Sequence, residues 1–560
     1  MAAAEATPAV SDRARPSLAA TVACVLAWAA FLPVLLRRPS SVFEWDTAAY
    51  LETASSIVAG RGLLERPIFG LDSTLWVPLR NWPPGYSVAV AGAHLVGAHG
   101  VWTAVAISLL ASVIIVVLLS RFLQRELPRA VAIPLTLAIV WMPAFQHIGA
   151  TALSDAMYFA LAIASLLTLL SWSGRDDVAA TRAFLAGLLA GAAWCTRYAG
   201  LALFATSALF FVGALSWRRR WDVSRGAAAW MCGAALLSVP LALRNLSTFG
   251  RINPFEAAPS TLHYGEIISA NAAAAISDLT TSEWLGYALT SSVVRVVILV
   301  LLLAALLRAG RNATWQNVRA FAARHRVELL LTVYAAIHAS LLVAARHHFA
   351  LTDPPAGGAD RHFGQIYWAV LSAAMIAFVG WLRHRMPDPA VTRSAAAVAV
   401  FLAVVQLSAI VREVTAPASP AARASLAELE GVALTRFLAR DVAPDQIVVA
   451  SWAYRLRIAA NLNARKLVPG FQCPDEHCFS REELRRAGER GLLWGIVFDD
   501  LDGALRGLYG PLVLELLQHP ERFPEFTRVP LSGPVIVFKY TGPGARSRTV
   551  NVSPAARPAS

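Results

Sequence analysis

Charged residues are scarce in this chain: only 15% of its 560 residues are Asp, Glu, Lys or Arg, whereas 57% are hydrophobic. This composition excludes a soluble globular protein, a disordered chain and a coiled coil. Lysine is almost absent, because Lys466 and Lys539 are the only two among 49 basic residues. The net charge of +13 is therefore carried by arginine. The arginines cluster between apolar runs, which is typical of a membrane protein and does not indicate a nucleic-acid partner.

Cysteine is also rare, and the five cysteines exclude a disulfide framework. Cys24, Cys195 and Cys232 lie in apolar runs, as expected of small buried side chains. Cys473 and Cys478 enclose Pro, Asp, Glu and His. If this region is extracytoplasmic, a local disulfide is favoured, with free thiols or a zinc site as alternatives. We predict no metal and no cofactor.

Eleven apolar runs approach the roughly 20 residues that a membrane-spanning helix needs. The first lacks a small-x-small cleavage site and is interpreted as an uncleaved anchor. The runs are 17–36, 101–122, 130–147, 156–172, 183–196, 199–217, 226–243, 291–307, 327–345, 364–382 and 394–411.

The orientation depends on the stretch 84–98, which is apolar but short. If it does not span, the arginine clusters after the spans all face the cytoplasm together with the N-terminus. We therefore predict an interfacial or re-entrant helix at 84–98 on the outer face. The N-terminus is then cytoplasmic and the C-terminal region is extracytoplasmic. The segments 37–100, 244–290 and 346–363 form long outer loops.

The composition becomes mixed and polar after about residue 413. Helical periodicity at 423–440, 481–490 and 503–518 alternates with β-rich runs at 447–449, 495–498 and 535–538. The predicted fold class is accordingly a mostly α polytopic membrane protein with a small C-terminal α/β domain. Its predicted parts are a transmembrane module at 1–412, the α/β domain at 413–545 and a disordered tail at 546–560.

Two acidic side chains stand near the outer ends of early spans. Asp46 opens an amphipathic helical pattern, and Asp155 lies in the turn before the span at 156–172. Either residue could be a helix N-cap. Because unpaired carboxylates at a membrane boundary are costly, and neither has an oppositely charged neighbour in sequence, a functional role is favoured. Glu44 and Glu52 are expected to be solvated.

Two further outer segments contain candidate ligand-binding groups. Pro83 and Pro84 fix the start of the predicted interfacial helix, whose first amides either attract an anion or simply form a rigid turn. His263 and Tyr264 either line the acceptor side of a site or belong to a solvated loop. The cluster 346–348, Arg-His-His, is interpreted as facing lipid headgroups rather than a metal.

The order of these features resembles the GT-C glycosyltransferases, in particular the bacterial family 39 type related to protein mannosyltransferases and aminoarabinose transferases. The likeness is good over 17–215 and general beyond. Asn81 and Trp82 depart from it, because related enzymes often have an acid, a lysine or a histidine there. The likeness is carried by Trp45-Asp46-Thr47-Ala48-Ala49-Tyr50, Pro83-Pro84-Gly85-Tyr86, Leu153-Ser154-Asp155-Ala156, Thr196-Arg197-Tyr198-Ala199-Gly200 and Asp360-Arg361-His362-Phe363.

The resemblance implies transfer of a sugar from a polyprenyl-phosphate donor to an acceptor hydroxyl on a glycan, lipid or protein, by an inverting displacement at the outer face of the cell membrane. Asp46 would be the general base, and Asp155 would position the acceptor or assist the base. Donor phosphate would be bound by Arg361, Arg80 and Arg244, each of which could instead be an interfacial anchor. The expected cavity-lining residues are Tyr50, Trp82, Tyr86, His263 and Tyr264.

Two other classes of function stay open at this point. One is a transporter or flippase for lipid-linked sugars, although such proteins usually place ionisable groups near the bilayer midplane. The other is a non-catalytic scaffold for envelope assembly, in which Asp46 would be dispensable.

Overall fold

The computed structural model describes most of the chain, and the following concerns those residues alone. They are 15–36, 45–67, 71, 76–172, 179–215, 218, 220–254, 264–269, 272, 315–349, 364–415, 437–438, 440–450, 453, 456–457, 461–466, 480–498, 511–529 and 536–546.

Helices dominate the described residues, as the long apolar runs predict. In chain order they are α1 (Leu18–Ala29), α2 (Leu32–Leu36), α3 (Trp45–Val58), α4 (Gly85–Leu95), α5 (Val101–Glu126), α6 (Arg129–Val140), α7 (Pro143–Ala150), α8 (Ser154–Ser171), α9 (Ala179–Thr196), α10 (Leu201–Ala214), α11 (Arg220–Phe249), α12 (Trp315–Arg324), α13 (Arg326–Phe349), α14 (Gly364–Arg383), α15 (Asp388–Thr415), α16 (Arg481–Glu489) and α17 (Pro511–Gln518).

The strands are short and lie in two sheets. They are β1 (Leu64–Glu65), β2 (Val77–Pro78), β3 (Ile447–Ala450), β4 (Asn463–Lys466), β5 (Leu493–Phe498), β6 (Phe526–Val529) and β7 (Ile536–Tyr540).

Two compact units divide the chain. The first consists of Met1–Val42, Arg80–Ala89 and Trp102–Ala416, and the second of Phe43–Leu79, Val90–Val101 and Pro417–Ser560. The second unit therefore contains part of the first predicted outer loop as well as the C-terminal region. The domain boundaries predicted from composition stay a prediction.

The first unit is built from membrane-length helices. Eight helices are long and apolar enough to span a bilayer, and the pair α6 and α7, bent by 62°, is a ninth candidate. The shorter apolar helix Tyr198–Ala214 covers most of the predicted run 199–217, whereas the run 291–307 lies outside the described residues. The prediction of a polytopic membrane protein is confirmed; the count of eleven spans is not.

The bend between α6 and α7 has a local cause in the sequence. Pro143 is the first residue of α7, where its missing N–H costs nothing, but its ring prevents α6 from continuing through it. The Trp141 indole donates to the Ala27 carbonyl at 3.0 Å and ties the bend to α1.

Close backbone packing joins α9 to α11. A Cβ added at Gly187 would lie 1.9 Å from the Trp230 carbonyl oxygen, and one at Gly233 would lie 2.1 Å from the Phe184 oxygen. Glycine permits this approach because it has no side chain, which is how membrane helices commonly pack.

The second unit contains a five-stranded sheet in the order β4-β3-β5-β7-β6. β3 is parallel to β4 and to β5, whereas β7 is antiparallel to β5 and to β6. β3 and β5 are buried along their whole length, because apolar clusters cover both faces of the sheet. Leu71, from the first outer loop, belongs to one of these clusters.

The periodicity of the C-terminal region predicts part of this unit. The helix expected at 481–490 and the strands expected at 447–449, 495–498 and 535–538 coincide with α16, β3, β5 and β7. Strands β4 and β6 were not predicted. The helices expected at 423–440 and 503–518 lie only partly within the described residues, the second of them as α17.

Candidate active site

The buried ion pair between Asp155 and Arg197 is the chemical centre of the first unit. Asp155 lies in the first turn of α8 and has no exposed surface. The Arg197 guanidinium, just past the end of α9, donates to Asp155 Oδ2 at 2.7 Å and to Ser154 Oγ at 3.3 Å. The other carboxylate oxygen, Oδ1, is buried and has no hydrogen-bond partner among the described residues.

The pair corrects one premise of the sequence analysis. The expectation that Asp155 is unpaired is wrong, because its partner lies 42 residues away in sequence and close in space. The alternative role as a helix N-cap also differs from what is seen, since Leu153 occupies the N-cap position of α8. Arg197 had been noted within a family motif but had been given no role.

Tyr86 connects the start of α4 to the turn before Asp155. Its hydroxyl donates to the Ala104 carbonyl at 2.7 Å and lies 2.9 Å from Ser108 Oγ. Ser108 in turn donates to the Leu153 carbonyl at 3.0 Å. Burial raises the pKa of the Tyr86 hydroxyl, so that it stays protonated and can serve as a donor.

Gly85 brings the same helix start against the end of α9. A Cβ at this position would lie 2.6 Å from the Cys195 carbonyl oxygen and 2.9 Å from Thr196 Oγ1, so no larger residue fits without movement of the backbone. The segments Pro83–Tyr86, Leu153–Ala156 and Thr196–Gly200, which are separate in sequence, are therefore neighbours in the first unit.

A cluster of aromatic and imidazole groups adjoins the ion pair. Tyr158, one turn after Asp155, has its hydroxyl 3.3 Å from His338 Nδ1 and 3.4 Å from the Tyr334 hydroxyl. It also approaches the Ala199 carbonyl at 3.3 Å. His338 is only 4% exposed. This buried polar cluster was missed, because a histidine within an apolar helix gives no signal of its partners.

Arg80 and Arg244, both predicted to bind donor phosphate, meet at one aromatic ring. Their guanidinium carbons lie 5.6 Å and 5.1 Å from the centre of the Phe249 ring. Arg80 Nε also donates to the Pro254 carbonyl at 3.1 Å. Both arginines are half-buried, and cation–π contacts of this kind help to hold them in place.

Asn245 links this arginine pair to the chain beside Arg197. Its Oδ1 accepts from Arg244 at 3.0 Å, and its Nδ2 donates to the Tyr198 hydroxyl at 3.2 Å and to the Ile252 carbonyl at 2.8 Å. Asn245 is completely buried. The first unit thus contains Arg197, Arg244 and Arg80 on connected elements.

Asp46 and Tyr50 belong to the second unit. Asp46 is the second residue of α3 and only 8% exposed, and Tyr50, one turn later, is 1% exposed. Asp46 is within the helix rather than at its N-cap position. Its proposed role as a base stays a prediction.

Glu52 differs from expectation. It was predicted to be solvated, but its side chain is 11% exposed and forms an ion pair with Arg457, NH2 to Oε2, at 2.7 Å. The prediction was wrong because the helical pattern of α3 contains no information on a partner 405 residues away.

The other predicted site residues are partly accessible to description. Trp82 is half-buried and Tyr264 is 44% exposed. Arg361, His263, Cys473 and Cys478 lie outside the described residues, as does the acidic residue Asp360. Among the residues that are described, no group of three or more His, Cys, Asp or Glu side chains could hold a metal ion.

No protein-family model and no curated protein matches the chain. Two solved structures do match it. ArnT from Cupriavidus metallidurans, bound to undecaprenyl phosphate, is similar with a TM-score of 0.53 and 12% identity, over 94% of this chain and 98% of that one. The oligosaccharyltransferase from Archaeoglobus fulgidus, in complex with Zn and sulfate, has a TM-score of 0.50 and 13% identity, over 93% and 72% of the two chains.

The chain has the GT-C fold. The fold class that the sequence motifs implied is thereby confirmed, for almost the whole chain rather than for 17–215 alone. At this level of identity the likeness concerns the fold and does not transfer the role of any residue. The GT-C assignment nevertheless accounts for the combination of membrane helices with a C-terminal sheet.

Proposed function

We propose that this GT-C protein is a membrane glycosyltransferase that moves a sugar from a polyprenyl-phosphate donor to an acceptor hydroxyl at the extracytoplasmic face, with inversion. The observation that carries the proposal is Asp155, a carboxylate buried in the first unit with one oxygen held by Arg197. The fold restricts the chemistry to which such a group is put, and the ArnT structure contains undecaprenyl phosphate.

Asp155 suits the positioning of an acceptor. Arg197 stabilises the ionised carboxylate, so that the group accepts hydrogen bonds and does not donate them. Oδ1 then remains for a hydroxyl of the acceptor, because the described residues supply no donor to it. A bound hydroxyl would satisfy this buried oxygen, which otherwise carries a cost of about 1–3 kcal/mol.

Asp46 is proposed as the general base. Its carboxylate takes the proton from the acceptor hydroxyl while the hydroxyl oxygen forms a bond to the anomeric carbon. The bond from that carbon to the phosphate oxygen breaks at the same time, and polyprenyl phosphate leaves with the electron pair. Attack opposite to the leaving group inverts the configuration. General-base catalysis contributes on the order of 10²-fold or more.

The leaving phosphate requires fixed positive charge. Arg80 and Arg244 are proposed for this role together with Arg361, because a guanidinium can bind phosphate in a bidentate manner. The shared contact with Phe249 supports Arg80 and Arg244 as a pair. Preorganised charge of this kind stabilises the developing phosphate charge without rearrangement in the transition state.

The test begins with loss of the gene, followed by mass-spectrometric profiling of glycolipids, glycans and glycoproteins, which identifies the missing sugar and its acceptor. Transfer is then reconstituted with purified protein. Asp46→Asn should reduce kcat by about 10²-fold or more, with a smaller change in KM. Glu44→Gln, another acidic residue of the same segment, is the matched control.

A wild-type rate in Asp46→Asn would remove the assignment of the base. A protein that moves the lipid-linked sugar across the bilayer without joining it to any acceptor would instead be a flippase.

A further inference from the structure

The C-terminal region of the second unit is joined to α3 by a buried ion pair. Arg457 donates from Nε to Glu52 Oε1 at 2.8 Å and from NH2 to Glu52 Oε2 at 2.7 Å. The Arg457 side chain is 4% exposed. This is a two-point contact between a guanidinium and a carboxylate, which fixes orientation as well as distance.

The strand after α3 is held by the same groups. The Arg66 amide donates to Glu52 Oε2 at 3.1 Å, and its carbonyl accepts from Arg457 NH2 at 2.7 Å. The Arg66 guanidinium donates to the Leu462 carbonyl at 2.8 Å and also reaches the carbonyl and side chain of Asn461. Glu52 therefore receives bonds from its own segment and from the C-terminal region.

Two further contacts extend this connection along the chain. Arg465, on strand β4 and completely buried, donates to the Pro67 carbonyl. Leu71 packs into the apolar cluster of the C-terminal sheet with Ile447 and Val449. The segment from Glu52 to Leu71 is thus integrated into the C-terminal fold by ionic, hydrogen-bonded and apolar contacts.

We propose that Arg457 is a positioning residue for glycosyl transfer: by clamping Glu52, the C-terminal domain holds α3 in the orientation that presents Asp46. This rests on the proposed function, since Asp46 is the base proposed there. It also gives the C-terminal domain a direct part in catalysis, as the support for the helix that carries the base.

The geometry of α3 indicates the size of the effect. Six residues separate Asp46 from Glu52, which is about 9 Å along a helix axis. A tilt of roughly 5° about Glu52 would displace the start of the helix by about 0.8 Å. Because misplacement of a reacting group by about 1 Å can cost about 10²-fold in rate, loss of the clamp should reduce kcat by at least about tenfold.

The test uses the full chain in lipid nanodiscs and measures hydrogen exchange as well as sugar transfer. Arg457→Met keeps the aliphatic stem and removes the charge. Exchange should increase in α3 by about tenfold or more while strand β5 keeps its protection. The kcat for transfer should fall, and the KM for the donor should change less. Arg522→Met is the matched control, since Arg522 forms an exposed pair with Glu515 in the same unit.

The reciprocal variant Glu52→Arg/Arg457→Glu should recover part of both the protection of α3 and the kcat. If Arg457→Met does not fold, Glu52→Gln provides the same comparison with a smaller change. Absence of transfer by the wild-type protein would count against the proposed function, whereas the exchange of α3 still reports on the clamp. An active wild type, together with unchanged kcat and unchanged α3 exchange in Arg457→Met, would overturn the positioning role.

Discussion

Removal of the charge on Arg197 should destabilise the first unit more than removal of the charge on its partner. Asp155 has no exposed surface, whereas the Arg197 side chain is 18% exposed. Arg197→Met leaves a buried carboxylate without compensation, at a cost of about 3–5 kcal/mol. Asp155→Asn leaves a guanidinium that reaches some solvent, so its cost is lower, about 1–3 kcal/mol.

The double variant Asp155→Asn/Arg197→Met contains no buried charge at this place. It should therefore cost about 2 kcal/mol less than the sum of the two single variants. Arg225→Met is the control, because Arg225 is exposed on α11 and should change stability by no more than about 0.5 kcal/mol.

Local hydrogen exchange of α8 and α9 amides is the suitable assay, since a chain with two units does not unfold in a single transition. Exchange in these helices reports the free energy of opening at the ion pair. Costs of the single variants that add within about 0.5 kcal/mol would show that the two charges do not interact, and would refute the reasoning.

Two other predictions concern packing and pH. Gly187→Ala places a Cβ 1.9 Å from the Trp230 carbonyl oxygen, so the thermal midpoint in detergent should fall, whereas Gly380→Ala, with nothing within 4 Å, should leave it unchanged; equal midpoints would exclude the close approach of α9 and α11. Burial raises the pKa of Glu525, but hydrogen bonds and charge from Arg481 lower it further, and the net folded pKa is below its ordinary value. The stability from this group is therefore complete above the unfolded pKa and is lost as the pH falls through the folded pKa, so exchange in β6 should increase in acid for the wild type and stay level in Glu525→Gln.

The sequence predicts the elements whose pattern is local. Apolar runs identify the membrane helices, and continuous β-branched runs identify the buried strands β3 and β5. Strand β4 was missed because its sequence, Asn-Ala-Arg-Lys, is polar, and Arg465 within it is buried by contacts that only the tertiary fold supplies. The edge strand β6 was missed because its exposed middle residues have no apolar pattern.

The candidate site was predicted in its parts and not in its pairing. Asp155 and the motif containing Arg197 were both recognised, yet nothing in a sequence indicates which arginine reaches which carboxylate. Glu52 shows the same limit, since its partner lies in another part of the chain. Coupling between distant charges depends on the fold, whereas helix periodicity reports only burial of one face.

The near absence of lysine now has a structural counterpart. Arg457 bonds both oxygens of Glu52 and the Arg66 carbonyl, and Arg197 bonds Asp155 together with Ser154. A lysine ammonium is a single point of charge that loses its proton readily when buried, whereas a guanidinium keeps its charge and binds several acceptors in one plane. A chain with few charged residues, some of them buried, is best served by the basic side chain whose charge survives burial. The arginine-rich composition follows from that requirement as well as from membrane orientation.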